Sequence, residues 1–161
     1  MSHPHLAWLI HEQAKKYGGR TALRYRAQDT GTWVPVTWNQ FSHTVEVASR
    51  ALLELGVSVQ ENIGIFSQNK PEYLYVDFAA YAVRAVSVPL YATSSCEQVE
   101  YILRDAGIRF LFVGEQYQYD VACRVAKSGS PLQRIIIFDR KVIRHSHDNT
   151  SLYFNEFLCL G

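Results

Sequence analysis

Between residues 62 and 138 the chain alternates short apolar segments with segments of helical periodicity, and this alternation restricts the fold more than any other feature. Four segments are apolar runs of strand length: NIGIFS from Asn62, VSVPL from Val86, RFLFV from Arg109 and RIIIF from Arg134. Runs without in-and-out alternation are typical of parallel strands that helices bury on both faces. The pattern therefore predicts a doubly wound α/β fold with a mostly parallel sheet and right-handed crossovers.

The three helices between these strands carry start signals in the sequence. The first has Asn69 as a candidate N-cap and Pro71 in its first turn. The second has Ser94 and Glu97 at the spacing of a capping box, and a third helical stripe covers residues 116–127. In a parallel sheet such helix starts follow the carboxyl ends of the strands, where ligands bind in open α/β folds.

The flanking segments divide the chain into three parts. Residues 1–20 predict an N-terminal helical segment that ends at a glycine pair. Residues 21–139 predict the α/β subdomain, which begins with a β-hairpin over 21–38 and a long amphipathic helix that Thr37 and Gln40 cap. Residues 140–161 predict a polar connection followed by a short amphipathic helix in SLYFNEFLCLG.

Composition excludes several partners and favours an intracellular location. The chain has 161 residues, and its 16 basic and 15 acidic side chains leave no electrostatic footprint for nucleic acid or for an anionic membrane. Three cysteines, too far apart for a CxxC motif, suit a reducing compartment. The longest apolar run, Phe78 to Val83, is far below the ~20 residues of a membrane-spanning helix. We therefore expect a cytoplasmic protein, and a peripheral membrane location stays open.

Three turns from strand to helix are candidate ligand sites: residues 67–70, 91–95 and 114–116. The first two carry hydroxyl, amide or ammonium groups that suit a polar or anionic ligand, but the same residue types also cap helices. Neither a G-x-G-x-x-G nor a G-x-x-x-x-G-K-[ST] motif is present, and no nucleophile elbow occurs. The sequence thus assigns no catalytic residue and no metal ligand.

The stretch from Trp33 to Asp139 resembles the N-terminal part of the AMP-forming acyl-CoA synthetases, the adenylate-forming superfamily, and most of all its long-chain fatty acid branch. The likeness rests on the order of LxxLGV at residues 52–57, N-K-P-E-Y at 69–73, VPLYxTSS at 88–95 and EQVxYIL at 97–103. One departure is Ala85, where family members usually have glycine.

The resemblance implies a parent ligase that uses ATP and Mg²⁺ to form an acyl-adenylate and pyrophosphate, and then transfers the acyl group to CoA. The family's phosphate-binding loop, of the form TSGTTGxPK, does not occur in these residues. The chain is therefore expected to be an N-terminal fragment that is inactive alone, binds none of these cofactors tightly and works with the rest of the ligase chain. Tyr91, Thr93 and Ser94 are the candidate residues for lining the substrate or CoA channel.

Two alternatives stay open. The parent could be an acyl-AMP ligase that loads a carrier protein, since its adenylation subdomain would have a similar sequence. The chain could also be a stand-alone flavodoxin-like module that binds a small polar ligand at the strand ends. Acyl chain length and oligomeric state are not indicated by the sequence, so a homo-oligomer also stays open.

Overall fold

The computed structural model describes residues 5–27 and 29–161, in which two sheets and six helices follow one another along the chain. The N-terminal elements are α1 (Leu6–Tyr17), β1 (Thr21–Arg26), β2 (Trp33–Thr37) and α2 (Trp38–Glu54). The alternating part comprises β3 (Asn62–Phe66), α3 (Pro71–Ala82), β4 (Val86–Leu90), α4 (Cys96–Asp105), β5 (Phe110–Val113), α5 (Gln116–Lys127) and β6 (Arg134–Ile137). β7 (Ser151–Tyr153) and α6 (Phe154–Leu158) complete the described chain.

The larger sheet has the order β4-β3-β5-β6-β7, and every neighbouring pair of strands is parallel. Helices bury both of its faces. Since successive residues of a strand point to opposite faces of the sheet, one strand contributes side chains to two cores. Ile63 and Ile65 of β3 pack in one core with α2, α3 and α6, whereas Phe66 packs in a second core with α4 and α5. This arrangement confirms the predicted doubly wound α/β class.

The smaller sheet is the predicted hairpin, in which β1 and β2 pair antiparallel. Its inner residues Leu23 and Val36 join a third core with Phe41 of α2. The predicted capping box of α2 is confirmed, since the Thr37 hydroxyl accepts from the backbone N–H of Gln40 at 3.2 Å.

Two predicted helix starts are wrong by one residue. The cap of α4 is Ser95, whose hydroxyl accepts from the backbone N–H of Gln98 at 3.3 Å, so the Ser94 and Glu97 pair does not form the capping box. Ser94 instead closes a turn, with its N–H donating to the carbonyl of Tyr91 at 2.9 Å. α3 is preceded by Lys70 and not by Asn69, and no side chain caps it.

The segment 140–161 contributes a fifth strand that the sequence analysis did not predict. β7 pairs with β6 through registers such as Ile136 with Leu152, and the predicted short helix follows it as α6. Three residues are too few to show a period, so only the tertiary pairing defines this strand. Among the helices of the described residues, none has the length and apolar character needed to cross a bilayer.

Candidate functional site

The strand order places a topological switch point between β3 and β5. The chain leaves β3 toward β4 on one side and returns to β5 on the other. Ligands of open α/β sheets bind outside the carboxyl ends of the strands at such a point. The two turns that border it are residues 67–70 after β3 and residues 114–116 after β5.

Protein side chains occupy this switch point. Lys70 Nζ lies 3.4 Å from Glu115 Oε1 and 3.2 Å from Asp139 Oδ2, and only 14% of the Lys70 side chain is exposed. Gln68 donates to Glu115 at 3.2 Å. A Cβ at Gly114 would overlap the side chains of Ser67 and Gln68, which fill the space beside this glycine and would have to shift to admit one. The ammonium predicted to suit an anionic ligand is therefore bound to two carboxylates of the protein itself.

Burial shifts the pKa values of two carboxyl groups around Lys70. Burial raises the pKa of Glu72 above its ordinary value, and the nearby ammonium of Lys70 opposes this only in part. Burial also acts to raise the pKa of Asp139, but the N–H of Lys141 and the Lys70 ammonium outweigh it and leave the pKa lowered. The ammonium of Lys70 is thus surrounded by the carboxyl groups of Glu72, Glu115 and Asp139, and this excess of acidic groups disfavours the binding of a phosphate here.

The three predicted channel residues lie together on one open groove of about 650 Å³ at the start of α4. We call it the loop groove, and it is lined by Tyr91, Thr93, Ser94, Glu97, Gln98, Tyr101 and Ile102. The side chains of Tyr91 and Tyr101 are 87% and 68% exposed, whereas Ser94 is buried. The groove therefore presents aromatic rings and small polar groups, and no basic side chain lines it.

Two residues of α5 that the sequence analysis did not single out hold the loop of this groove in place. The amide of Gln118, 1% exposed, donates to the carbonyl of Ala92 at 2.7 Å and accepts from the N–H of Glu115 at 3.0 Å. The hydroxyl of Tyr117 donates to the carbonyl of Ser94 at 3.0 Å. The two bonds to the loop carbonyls join residues more than twenty positions apart, so no local sequence pattern predicts them.

The described residues offer no cluster of three or more histidine, cysteine, aspartate or glutamate side chains that could hold a metal ion. The described residues therefore do not fit a Mg²⁺ site of their own.

Solved structures define the class of the fold. Coronafacic Acid Ligase from Pectobacterium brasiliense superposes with a TM-score of 0.83 at 15% identity, over 97% of this chain and 29% of that chain. The anthranilate CoA ligase AuaEII in complex with anthranoyl-AMP superposes with a TM-score of 0.81 at 21% identity, over 97% and 28%. The chain thus has the fold of the corresponding part of adenylate-forming ligases.

Sequence comparison defines the family. The model of the AMP-binding enzyme family matches residues 10–155, and the chain belongs to this family. Long-chain-fatty-acid–CoA ligase FadD15 of Mycobacterium tuberculosis is 32% identical over 112 residues, 70% of this chain and 19% of that protein. Human long-chain-fatty-acid–CoA ligase ACSBG1 is 26% identical over 139 residues, 84% and 19%. The chain spans about a fifth of the length of these relatives.

Proposed function

We propose that the chain is the N-terminal part of an AMP-forming long-chain fatty acid CoA ligase. Such an enzyme converts a fatty acid, ATP and CoA into acyl-CoA, AMP and pyrophosphate through an acyl-adenylate. The observation that carries the proposal is that curated relatives from bacteria and animals, which align with most of this chain, bear the name of this activity. The three cysteines are unpaired, which supports a reducing, cytoplasmic location.

Within that enzyme the loop groove would form a wall of the channel for the acyl chain or for CoA. The rings of Tyr91 and Tyr101 offer apolar surface, and Thr93 offers a hydroxyl. The lining includes the carboxylate of Glu97 and no basic side chain, so it suits an uncharged part of a ligand better than a phosphate. An aliphatic chain or an amide-containing arm has this chemistry.

We further propose that the 161 residues are inactive alone, because their sequence does not include the family's phosphate-binding loop. The test measures pyrophosphate release from ATP, Mg²⁺, a long-chain fatty acid and CoA. The isolated chain should release none, whereas the protein encoded by its complete reading frame should be active. Turnover by the isolated chain would refute the inactivity, and a reading frame without the Ser/Thr/Gly-rich loop would refute the ligase assignment.

Both alternatives remain distinguishable by experiment. With the complete protein, free acyl-adenylate that accumulates in the presence of CoA would indicate a carrier-protein acceptor. The strand order β4-β3-β5-β6-β7 is also the order of flavodoxin-like folds, which is the observation in favour of a stand-alone binding module. Calorimetric titration of the isolated chain with ATP tests this, since tight binding would favour the module over the ligase part.

A further inference from the structure

The hairpin exposes one face that the protein core does not use. In the β1–β2 register Arg24 lies opposite Pro35, and Arg26 lies opposite Trp33. Directly opposed residues share a face of an antiparallel pair, and all four of these side chains are exposed. Trp33 is 65% exposed. We call these four residues the outer hairpin face.

The opposite face of the hairpin accounts for its place in the fold. Leu23 and Val36 point inward and pack in the core formed with Ile10, Phe41 and Val45. The outer hairpin face contributes nothing to that core. The exposed indole of Trp33, which shares its face with Arg24 and Arg26, is therefore not explained by packing among the described residues.

Charge around the hairpin is strongly one-sided. Residues 5–37 contain five basic and two acidic side chains, although the whole chain has a formal charge of only +1. Both acids are paired: Glu12 contacts Lys15, and Asp29 contacts Lys141. The remaining residues contain more acidic than basic groups, so the positive charge is concentrated in this N-terminal part.

We propose that the outer hairpin face binds an anionic lipid surface. Guanidinium groups bind phosphate oxygens with paired hydrogen bonds, and an indole prefers the boundary between head groups and acyl chains. A second copy of this chain fits poorly, because a symmetric contact through this face would bring arginines against arginines. An acidic protein segment shares the charge but gives no particular use to the exposed indole. The proposal is independent of the ligase function.

The test is co-sedimentation of the chain with vesicles of phosphatidylcholine, with or without phosphatidylglycerol. We expect binding to the anionic vesicles at low salt and loss of binding to neutral vesicles or at high salt. Arg24→Gln should lower the partition coefficient about fivefold, and Trp33→Ala should lower it as well. Arg24 is chosen because Arg26 also bonds the carbonyl of Gly31 and supports the turn. The matched controls, Arg124→Gln on α5 and Leu53→Ala on α2, remove an exposed charge and an exposed apolar side chain elsewhere and should bind like the original chain.

Three results would overturn the proposal. One is equal binding to neutral and anionic vesicles, and another is an equal loss in the control variants. The third is failure to bind vesicles together with salt-sensitive binding to poly-glutamate that depends on Arg24, which would assign the face to an acidic protein. Circular dichroism melting curves check that every variant is folded, and none of these readouts depends on acyl-CoA synthesis.

Discussion

The carboxylate of Asp148 fastens the start of β7 to α5, and its replacement by asparagine tests the energetic weight of that contact. Its Oδ1 accepts from the N–H and hydroxyl of Thr150 and from the N–H of Ser151, at 2.8 to 3.0 Å. Its Oδ2 accepts from the hydroxyl of Ser151 and, at 2.6 Å, from the hydroxyl of the buried Tyr119. Asp148→Asn keeps the shape of the side chain but removes the charge.

The size of the effect follows from the pKa of this group. Burial alone would raise the pKa of Asp148, but the bonds from Ser151, Tyr119 and Thr150 outweigh it and lower the pKa from 3.8 to about 2. At about 1.4 kcal/mol per pKa unit this corresponds to about 2.5 kcal/mol, and solvent screening of this partly exposed group reduces it to about 1–2 kcal/mol. Because the folded-state pKa is lowered, the stabilisation is complete above about pH 4 and is lost as the pH falls toward 2.

Urea unfolding followed by circular dichroism, repeated from pH 7 to pH 2, measures this contribution. Wild type should exceed Asp148→Asn by about 1–2 kcal/mol at pH 7, and the two curves should converge near pH 2. Taking the difference between the proteins removes the titration of all other carboxyl groups. Asp105→Asn, at the exposed end of α4, is the matched control for the same substitution at a surface position. A constant difference between wild type and Asp148→Asn at every pH would refute the reasoning.

Two further predictions concern the groove and the turn before β4. Gln118→Leu removes the partner of the Ala92 carbonyl and of the part-buried N–H of Glu115, so it should lower the free energy of unfolding by about 2–4 kcal/mol and speed hydrogen exchange of residues 91–95. Unchanged exchange there would show that Gln118 does not hold the loop. Arg84 has a left-handed backbone with φ of +62°, so Arg84→Gly should raise the midpoint of thermal unfolding by about 2–4 °C, whereas Ala85→Gly should lower it. Equal shifts in the two glycine variants would contradict this account.

The alternation of apolar runs and helical stripes was sufficient to predict the sheet. Strands β3 to β6 and the three helices between them appear where the sequence placed them, because each is long enough to show its own period. The departure at Ala85 had a less expected outcome. The family pattern has glycine at position 85, but the residue with positive φ is its neighbour Arg84. The backbone strain that a glycine would relieve therefore lies at position 84.

The predicted start of α4 was wrong because two capping-box patterns overlap there, offset by one residue. Ser94 with Glu97 and Ser95 with Gln98 both have the spacing of a capping box, and the sequence alone does not choose between them. The choice is tertiary, because the bond from the Tyr117 hydroxyl to the carbonyl of Ser94 fixes that residue in the preceding turn. The helix therefore starts one residue later than predicted.

The same tertiary contacts decide where a ligand can bind. The sequence made the turns at residues 67–70 and 91–95 equally attractive, since both carry polar groups after a strand. At the first turn, the Lys70 ammonium is paired with the carboxylates of Glu115 and Asp139. The side chains of Ser67 and Gln68 fill the space beside Gly114, so this turn holds the ends of β3 and β5 together and leaves no room for a ligand. At the second, Gln118 and Tyr117 bind the loop only through its backbone carbonyls. The side chains of Tyr91 and Thr93 are thus left exposed at an open groove, and of the two turns this is the one where we expect a ligand of the strand ends to bind.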